Sequence, residues 1–256
     1  MSDQLPIPER DVVSGLEKGL AVIEVFDEAH PKLSLTDVAK MTGLTRAAAR
    51  RYLLTLVKNR YAEFDGKFFS LTPRVLRLGY AYLSSTALAL RCQPVLEEIS
   101  RQTSESSSVA ILEGPDVVYI ARSSANRIMA VDLSVGSALP AYCTALGRVL
   151  LSALSPEALS EYFRTVKLVP LTPVTVHSEK NLRPILEDVR TKGFALVDEE
   201  LALGLRSIAV PIVNATGKVM ASVNISVATV RMTADAIVES FLPVLRSAQQ
   251  ELRLLV

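Results

Sequence analysis

The chain has 256 residues, 49% of them apolar, with 28 Lys and Arg against 27 Asp and Glu. Two modest domains with sizeable cores fit that length, while two distant cysteines, Cys92 and Cys143, exclude a disulfide framework. No apolar run approaches the ~18 residues of a membrane span, and the start carries no apolar signal region, so a cytoplasmic protein without a membrane partner is expected.

Residues 1–12 are polar and proline-bearing and read as a flexible N-terminal arm. Ser14 with Glu17 three residues on is a capping-box pattern. Leu16, Leu20, Ile23 and Phe26 recur at helical spacing, so a helix is expected over 15–28, stopped by His30-Pro31. A second helix opens at Ser34 or Thr36, with Val38, Ala39 and Met41 as its apolar contacts. Thr42-Gly43-Leu44 breaks it: Gly43 supplies a positive φ, and Leu44 is expected to be buried between two helices.

Thr45 caps a third helix. On it Ala49, Tyr52, Leu53 and Leu56 share one face, and Ala47, Arg50, Arg51 and Leu54 the opposite one. The second face suits a recognition helix, since Arg forks onto guanine O6 and N7 and Ala meets a thymine methyl. Arg46 and Lys58 flank it and are assigned to phosphate. The plain alternative is a solvated basic face. Next, residues 61–71 read as two strands around Asp65-Gly66, a type I′ turn signal, with Lys67 at the tip of the hairpin. Helix, helix-turn-helix and hairpin in that order make a winged helix-turn-helix. Between Ser34 and Leu83 nine Lys and Arg face three Asp and Glu, a charge of +6 against −5 for the rest of the chain. Such a basic segment is an electrostatic footprint for phosphate.

Thr72-Pro73 starts a linker helix with Val75, Leu76, Leu78, Tyr80 and Leu83 as its stripe, and Ser84-Ser85-Thr86 interrupts it. The expected layout is an arm (1–12), a DNA-binding domain (13–72), a linker helix (73–86) and a second domain (87–256). Readers of paired half-sites bind as two-fold dimers, so the linker is a candidate dimer contact; covering the second domain is its other use.

From Ser106 the periodicity changes to alternation. Strands are expected over 107–112, 117–122, 128–133, 194–197, 207–213 and 219–227, with helices from Thr144 or Cys143, after Ser155, after Ser178 and after Thr233. Strands with helices on one side and mostly antiparallel connections make an α+β sheet domain able to hold a small molecule. The helix opened by Thr144 would aim the amides of Ala145, Leu146 and Gly147 at an anion. Asn224 and Ser226 share a sheet face and Ser207 starts a neighbouring strand, a set that suits a carboxylate.

The chain resembles the IclR family of transcriptional regulators over about residues 12–254. The residues that carry the likeness are Thr42-Gly-Leu-Thr-Arg, Tyr142-Cys-Thr-Ala-Leu-Gly-Arg-Val-Leu-Leu, Asp198-Glu-Glu, Gly204-Leu-Arg-Ser-Ile-Ala-Val-Pro-Ile and Val223-Asn-Ile-Ser. Arg46-Ala-Ala-Ala-Arg-Arg-Tyr-Leu-Leu-Thr-Leu is similar to the subgroup governing protocatechuate and β-ketoadipate catabolism. The resemblance implies a winged helix-turn-helix joined to a GAF-like effector domain, dimers or tetramers, operator DNA and a small acidic effector. Candidate DNA contacts are Thr45, Arg46, Ala47, Arg50, Arg51, Leu54, Lys58 and Lys67. Candidate effector contacts are Met129, Thr144, Ala145, Leu146, Gly147, Glu199, Ser207, Asn224 and Ser226. Asn224 stands where a small polar residue is frequent in the family, and Val197 where one branch has an acidic effector contact.

No cofactor, metal site or catalytic residue is expected. The rival readings are an enzyme using Cys143 at a helix start, a regulator of another carbon-source pathway, and a DNA-binding protein whose second domain only oligomerises. Arg206 is a candidate for a ligand carboxylate or for a structural salt bridge.

Overall fold

The computed structural model describes residues 7–27, 29–85, 87–124 and 133–253. The chain divides into two compact units, Met1–Tyr82 and Leu83–Val256.

The first unit contains α1 (Ser14–Glu24), α2 (Leu35–Thr42), α3 (Arg46–Lys58) and a hairpin of β1 (Ala62–Phe64) and β2 (Phe69–Leu71). Ser34 and Asp37 form a reciprocal capping box at the start of α2, which settles the choice between Ser34 and Thr36. Gly43 ends α2 at φ 68°, and Thr45 Oγ1 accepts from the Ala48 amide to start α3. Val22, Leu33, Val38, Ala39, Ala49, Leu53 and Phe69 close the core, and Leu44 is half-buried against it. Each of the Val, Leu and Phe side chains contributes about 1.5–3 kcal/mol by leaving water.

Three local expectations need correction. Ser14 is the first helical residue and Val13 the N-cap, so no capping box forms on α1. The helix ends at Glu24, and Leu16 (64% exposed) and Leu20 (44%) stay outside the core. At the hairpin tip only Gly66 has positive φ (101°), whereas a type I′ turn needs two such residues. The Asp65 carboxylate closes this tip by accepting from the amides of Lys67 (3.0 Å) and Phe68 (2.8 Å).

Arg60 is a further surprise. It takes φ 63° just after α3, where the Arg60 amide donates to Val57 O and the Tyr61 amide to Leu56 O. That is a Schellman closure with arginine at the position glycine usually fills. Thr72, as expected, caps the turn at Pro73 that leads into α4 (Leu76–Ser85).

The second unit is built on a six-stranded antiparallel sheet of β3 (Ser106–Glu113), β4 (Asp116–Ser123), β5 (Ala138–Pro140), β6 (Ala195–Asp198), β7 (Leu205–Val213) and β8 (Val219–Ala228). Its order is β5-β4-β3-β8-β7-β6. α5 (Ala87–Thr103) and α9 (Ala234–Arg253) pack on one face; α6 (Ala145–Ser152), α7 (Pro156–Thr165) and α8 (Glu179–Lys192) pack on the other. Helices therefore cover both faces, not one: each strand carries apolar residues at odd and even positions, so neither face tolerates water.

The two layers differ in chemistry. Ala221, Val223, Ile225 and Val227 of β8 face α5 and α9 in an aliphatic layer. The alternate residues Ser222, Asn224 and Ser226 face the α6 side, beside Ser207 of β7. Ser222 Oγ donates to Leu146 O, tying that polar strip to α6. Of the strand expected over 128–133 only Leu133 lies among the described residues.

Candidate functional site

On α3 the side chains of Arg46, Ala47, Arg50, Arg51, Leu54 and Lys58 are exposed, while Ala49 and Leu53 are buried. Heptad-like spacing thus separates an anchored face from a free one. Arg46, Arg50, Arg51 and Lys58 form no ion pair among the described residues. Thr45 is exposed too, with its Oγ1 engaged by the Ala48 amide (3.2 Å). Lys67 lies at the hairpin tip with Nζ 5.0 Å from the Phe68 ring centre. A cationic helix face followed by a cationic hairpin tip can meet a phosphate backbone and base edges together.

The second unit holds a cleft that is partly open to solvent. Thr144, Ala145, Leu146, Ser207, Asn224 and Ser226 line it, as do Tyr119, Arg122, Leu133, Cys143, Val197, Leu201 and Leu205. The sequence reading did not propose Tyr119 or Arg122. Among the described lining residues Arg122 carries the only ionic side chain.

Arg122 was hidden by a β-bulge. Val109 pairs with Ala121 but Ala110 with Tyr119, leaving Ile120 as the extra residue. Simple alternation from Val117 and Tyr119 places Arg122 on the far face. The bulge reverses the parity and brings it to the cleft, where Nη1 donates to Ser108 Oγ and Nε to Ser124 Oγ, both at 3.2 Å.

The start of α6 also differs from expectation. Thr144 Oγ1 accepts from the Gly147 amide (3.1 Å), so only Ala145 and Leu146 present first-turn amides without a helical acceptor. Gly147 does not line the cleft. Its role is close approach: a Cβ there would stand 2.1 Å from Ala141 O. Glu199 does not line the cleft either; its Oε1 accepts from the Gly204 amide (2.7 Å) and closes its own loop at φ 58°. Met129 lies outside the described residues. Arg206 serves a structural salt bridge, 2.7 Å from Asp198.

Electrostatics disfavours thiolate chemistry in the cleft. Burial pushes the Cys143 thiol up to about 12, and Cys143 is fully buried. Burial likewise pushes the Tyr119 phenol to about 12, keeping it a hydrogen-bond donor. No group of three or more His, Cys, Asp or Glu among the described residues could hold a metal ion. No helix among them is long and apolar enough to cross a membrane.

Residues 15–66 match the IclR helix-turn-helix domain, and residues 80–253 match the bacterial transcriptional regulator IclR C-terminal family. The chain belongs to the IclR family. Like other IclR proteins it is a DNA-binding transcriptional regulator, and it falls with the Pca- and PobR-type members. It is 46% identical over 243 residues to the Pca regulon regulatory protein of Pseudomonas putida, covering 94% of this chain and 84% of that one. It is 39% identical over 255 residues to the p-hydroxybenzoate hydroxylase transcriptional activator of Acinetobacter baylyi, covering 98% and 94%. Among solved structures, a transcriptional regulator of Rhodococcus sp. RHA1 superposes with TM-score 0.83 at 43% identity, over 95% of this chain and 98% of that one. The inducer-binding domain of an Acinetobacter PobR double mutant, in complex with 3-hydroxybenzoic acid, gives TM-score 0.62 at 36% identity, over 64% and 97%.

Proposed function

We propose that this IclR protein controls genes of aromatic-acid catabolism in response to a small organic acid bound in the cleft beside α6. The observation that carries the reading is the cleft's lining, where the Arg122 side chain meets Ala145 and Leu146 of the first turn of α6 and the polar side chains of Ser207, Asn224 and Ser226. An acid gains a charge-assisted hydrogen bond and a helix N-terminus there. The regulators and the ligand-bound domain to which the chain is similar support the choice of pathway.

The DNA contacts in this proposal are Arg50, Arg51, Ala47 and Leu54 on base edges, with Thr45, Arg46, Lys58 and Lys67 on the backbone. The working unit is a homodimer, which can pair further into a tetramer. Support comes from apolar side chains that the first unit leaves uncovered, Leu16 on α1 and Leu76 and Tyr80 (each 70% exposed) on α4. Effector binding acts by favouring one arrangement of the dimer over another, since a ligand bound equally by both shifts nothing.

Calorimetric titration with 4-hydroxybenzoate, protocatechuate and β-ketoadipate, followed by operator binding with each, tests the reading. Binding of at least one acid with a change in operator affinity is expected. Binding of none of these acids points to a second domain that only oligomerises.

A further inference from the structure

The hairpin tip of the first unit is not built by the hairpin alone. Leu33, two residues before α2, forms an antiparallel bridge with Phe69 of β2: the Leu33 amide donates to Phe69 O (3.0 Å) and the Phe69 amide to Leu33 O (2.9 Å). The bridge lays the chain before α2 alongside the hairpin and fixes the residue that precedes it, Lys32. Leu33 is buried, while the Lys32 side chain is 60% exposed. Its Nζ stands 3.6 Å from Asp65 Oδ2 at the tip.

The tip thus carries two exposed lysines, Lys32 and Lys67, around one carboxylate. That carboxylate is already committed, since it accepts from the amides of Lys67 and Phe68. At 3.6 Å the Lys32 ammonium stands beyond hydrogen-bond distance from it, so its donors stay open to a closer acceptor. An exposed pair of this kind adds little to stability, so folding does not account for it. Position does. In a helix-turn-helix the first helix crosses the DNA backbone while the second enters the groove. Lys32 lies between the start of that first helix, α2, and the cationic hairpin tip. A phosphate backbone drawn to Lys67 at this tip comes within reach of Lys32.

We propose that Lys32 is a further DNA-backbone contact, which exchanges Asp65 in the free protein for a phosphate in the complex. Lys32 and Lys67 then hold the same stretch of backbone, and Asp65 competes with the phosphate for Lys32. The phosphate prevails because it offers free anionic oxygens at charge-assisted hydrogen-bond distance, whereas the carboxylate is tied to two amides. Such a contact carries no base information: it adds affinity and salt dependence, not sequence preference. The proposal rests on the placement of Lys67 at the backbone and adds a residue that lies outside the basic window of the sequence.

The test uses the full chain and two duplexes, one recovered by the natural protein from a random pool and one of scrambled sequence, titrated by fluorescence anisotropy from about 0.05 to 0.3 M salt. Lys32→Gln is expected to lower the slope of log affinity against log salt by about 0.9, and to weaken binding of both duplexes by up to about tenfold near 0.1 M salt. The base preference should stay as it is. Lys32→Arg keeps the charge and should keep the slope. Asp65→Asn still offers its amide oxygen to the tip, removes the competing charge and should tighten binding of both duplexes by about two- to threefold. The side chains are exposed, so these variants should melt with the natural protein. An unchanged slope in Lys32→Gln, where Lys67→Gln lowers it, overturns the proposal and leaves the hairpin reading standing. Unchanged slopes in both overturn both. A shifted base preference in Lys32→Gln, or no tightening in Asp65→Asn, also overturns the exchange.

Discussion

Arg148 and Glu200 form a buried ion pair, with Nη2 2.7 Å from Oε2 and the two residues 2% and 7% exposed. The pair is well satisfied: Arg148 Nε donates to Tyr142 O, and Glu200 Oε2 also accepts from the Val176 amide. It ties α6, which heads the cleft, to the loop carrying Leu201. Glu200→Ala leaves a buried guanidinium uncompensated and should cost about 3–5 kcal/mol. Glu199→Ala removes one exposed hydrogen bond and should cost about 1 kcal/mol or less. Urea denaturation of both variants checks the contrast; equal losses would show that the ion pair is not what sets Glu200 apart.

Gly147 is fixed by space. An added Cβ meets Ala141 O at 2.1 Å and Ala141 Cα at 2.4 Å, both backbone atoms that cannot swing aside. Gly147→Ala should destabilise the second unit by about 3 kcal/mol or more and displace the start of α6. Thermal melting and acid binding are the readouts, and a variant that melts normally and binds acid would sink the prediction.

Arg60 carries left-handed backbone at φ 63°, a conformation that disfavours any residue with a Cβ. Arg60→Gly relieves that strain and should raise stability by about 1 kcal/mol, read from the denaturation midpoint. An unchanged or lower midpoint would mean that the surroundings already remove the strain.

Arg50 and Arg51 present the free cationic face of α3. If they fork onto guanine, alanine at either position should relax sequence preference and cost about 1–3 kcal/mol of operator affinity. Selection of bound sequences from a random pool measures both. An unaltered preference reassigns the two arginines to phosphate.

Cys143 lines the cleft, but its thiol is pushed up to about 12, leaving roughly one part in ten thousand as thiolate at pH 8. Iodoacetamide at pH 8 should leave native Cys143 unmodified and label it once the protein is unfolded, as mass spectrometry can follow. Rapid labelling of the native protein would reopen the nucleophile reading.

Much of the first unit was legible because its signals are local. Ser34-Leu-Thr-Asp caps a helix through side chains three residues apart, and Gly43 needs only its own φ. The alternation of β8 likewise announced Asn224 and Ser226 as neighbours on one face. What stayed hidden depends on tertiary partners. The bulge that turns Arg122 into the cleft is a mismatch between two strands, invisible in either one alone. The commitment of Glu200 to Arg148 joins residues 52 positions apart, and the sequence offered Glu199 just as readily. Leu16 and Leu20 had the right spacing for a core face, but Val22 occupies that place.

The central claim is that occupancy of the cleft changes how the winged helix-turn-helix holds its operator. The direct measurement is operator affinity of the full chain, at fixed salt, without acid and with an acid that calorimetry shows to saturate the cleft. A shift of about 5- to 150-fold, abolished in the Asn224→Ala, Ser226→Ala double variant with its acid-free operator affinity intact, is the predicted result. Identical operator affinity with the cleft empty and saturated would contradict the account.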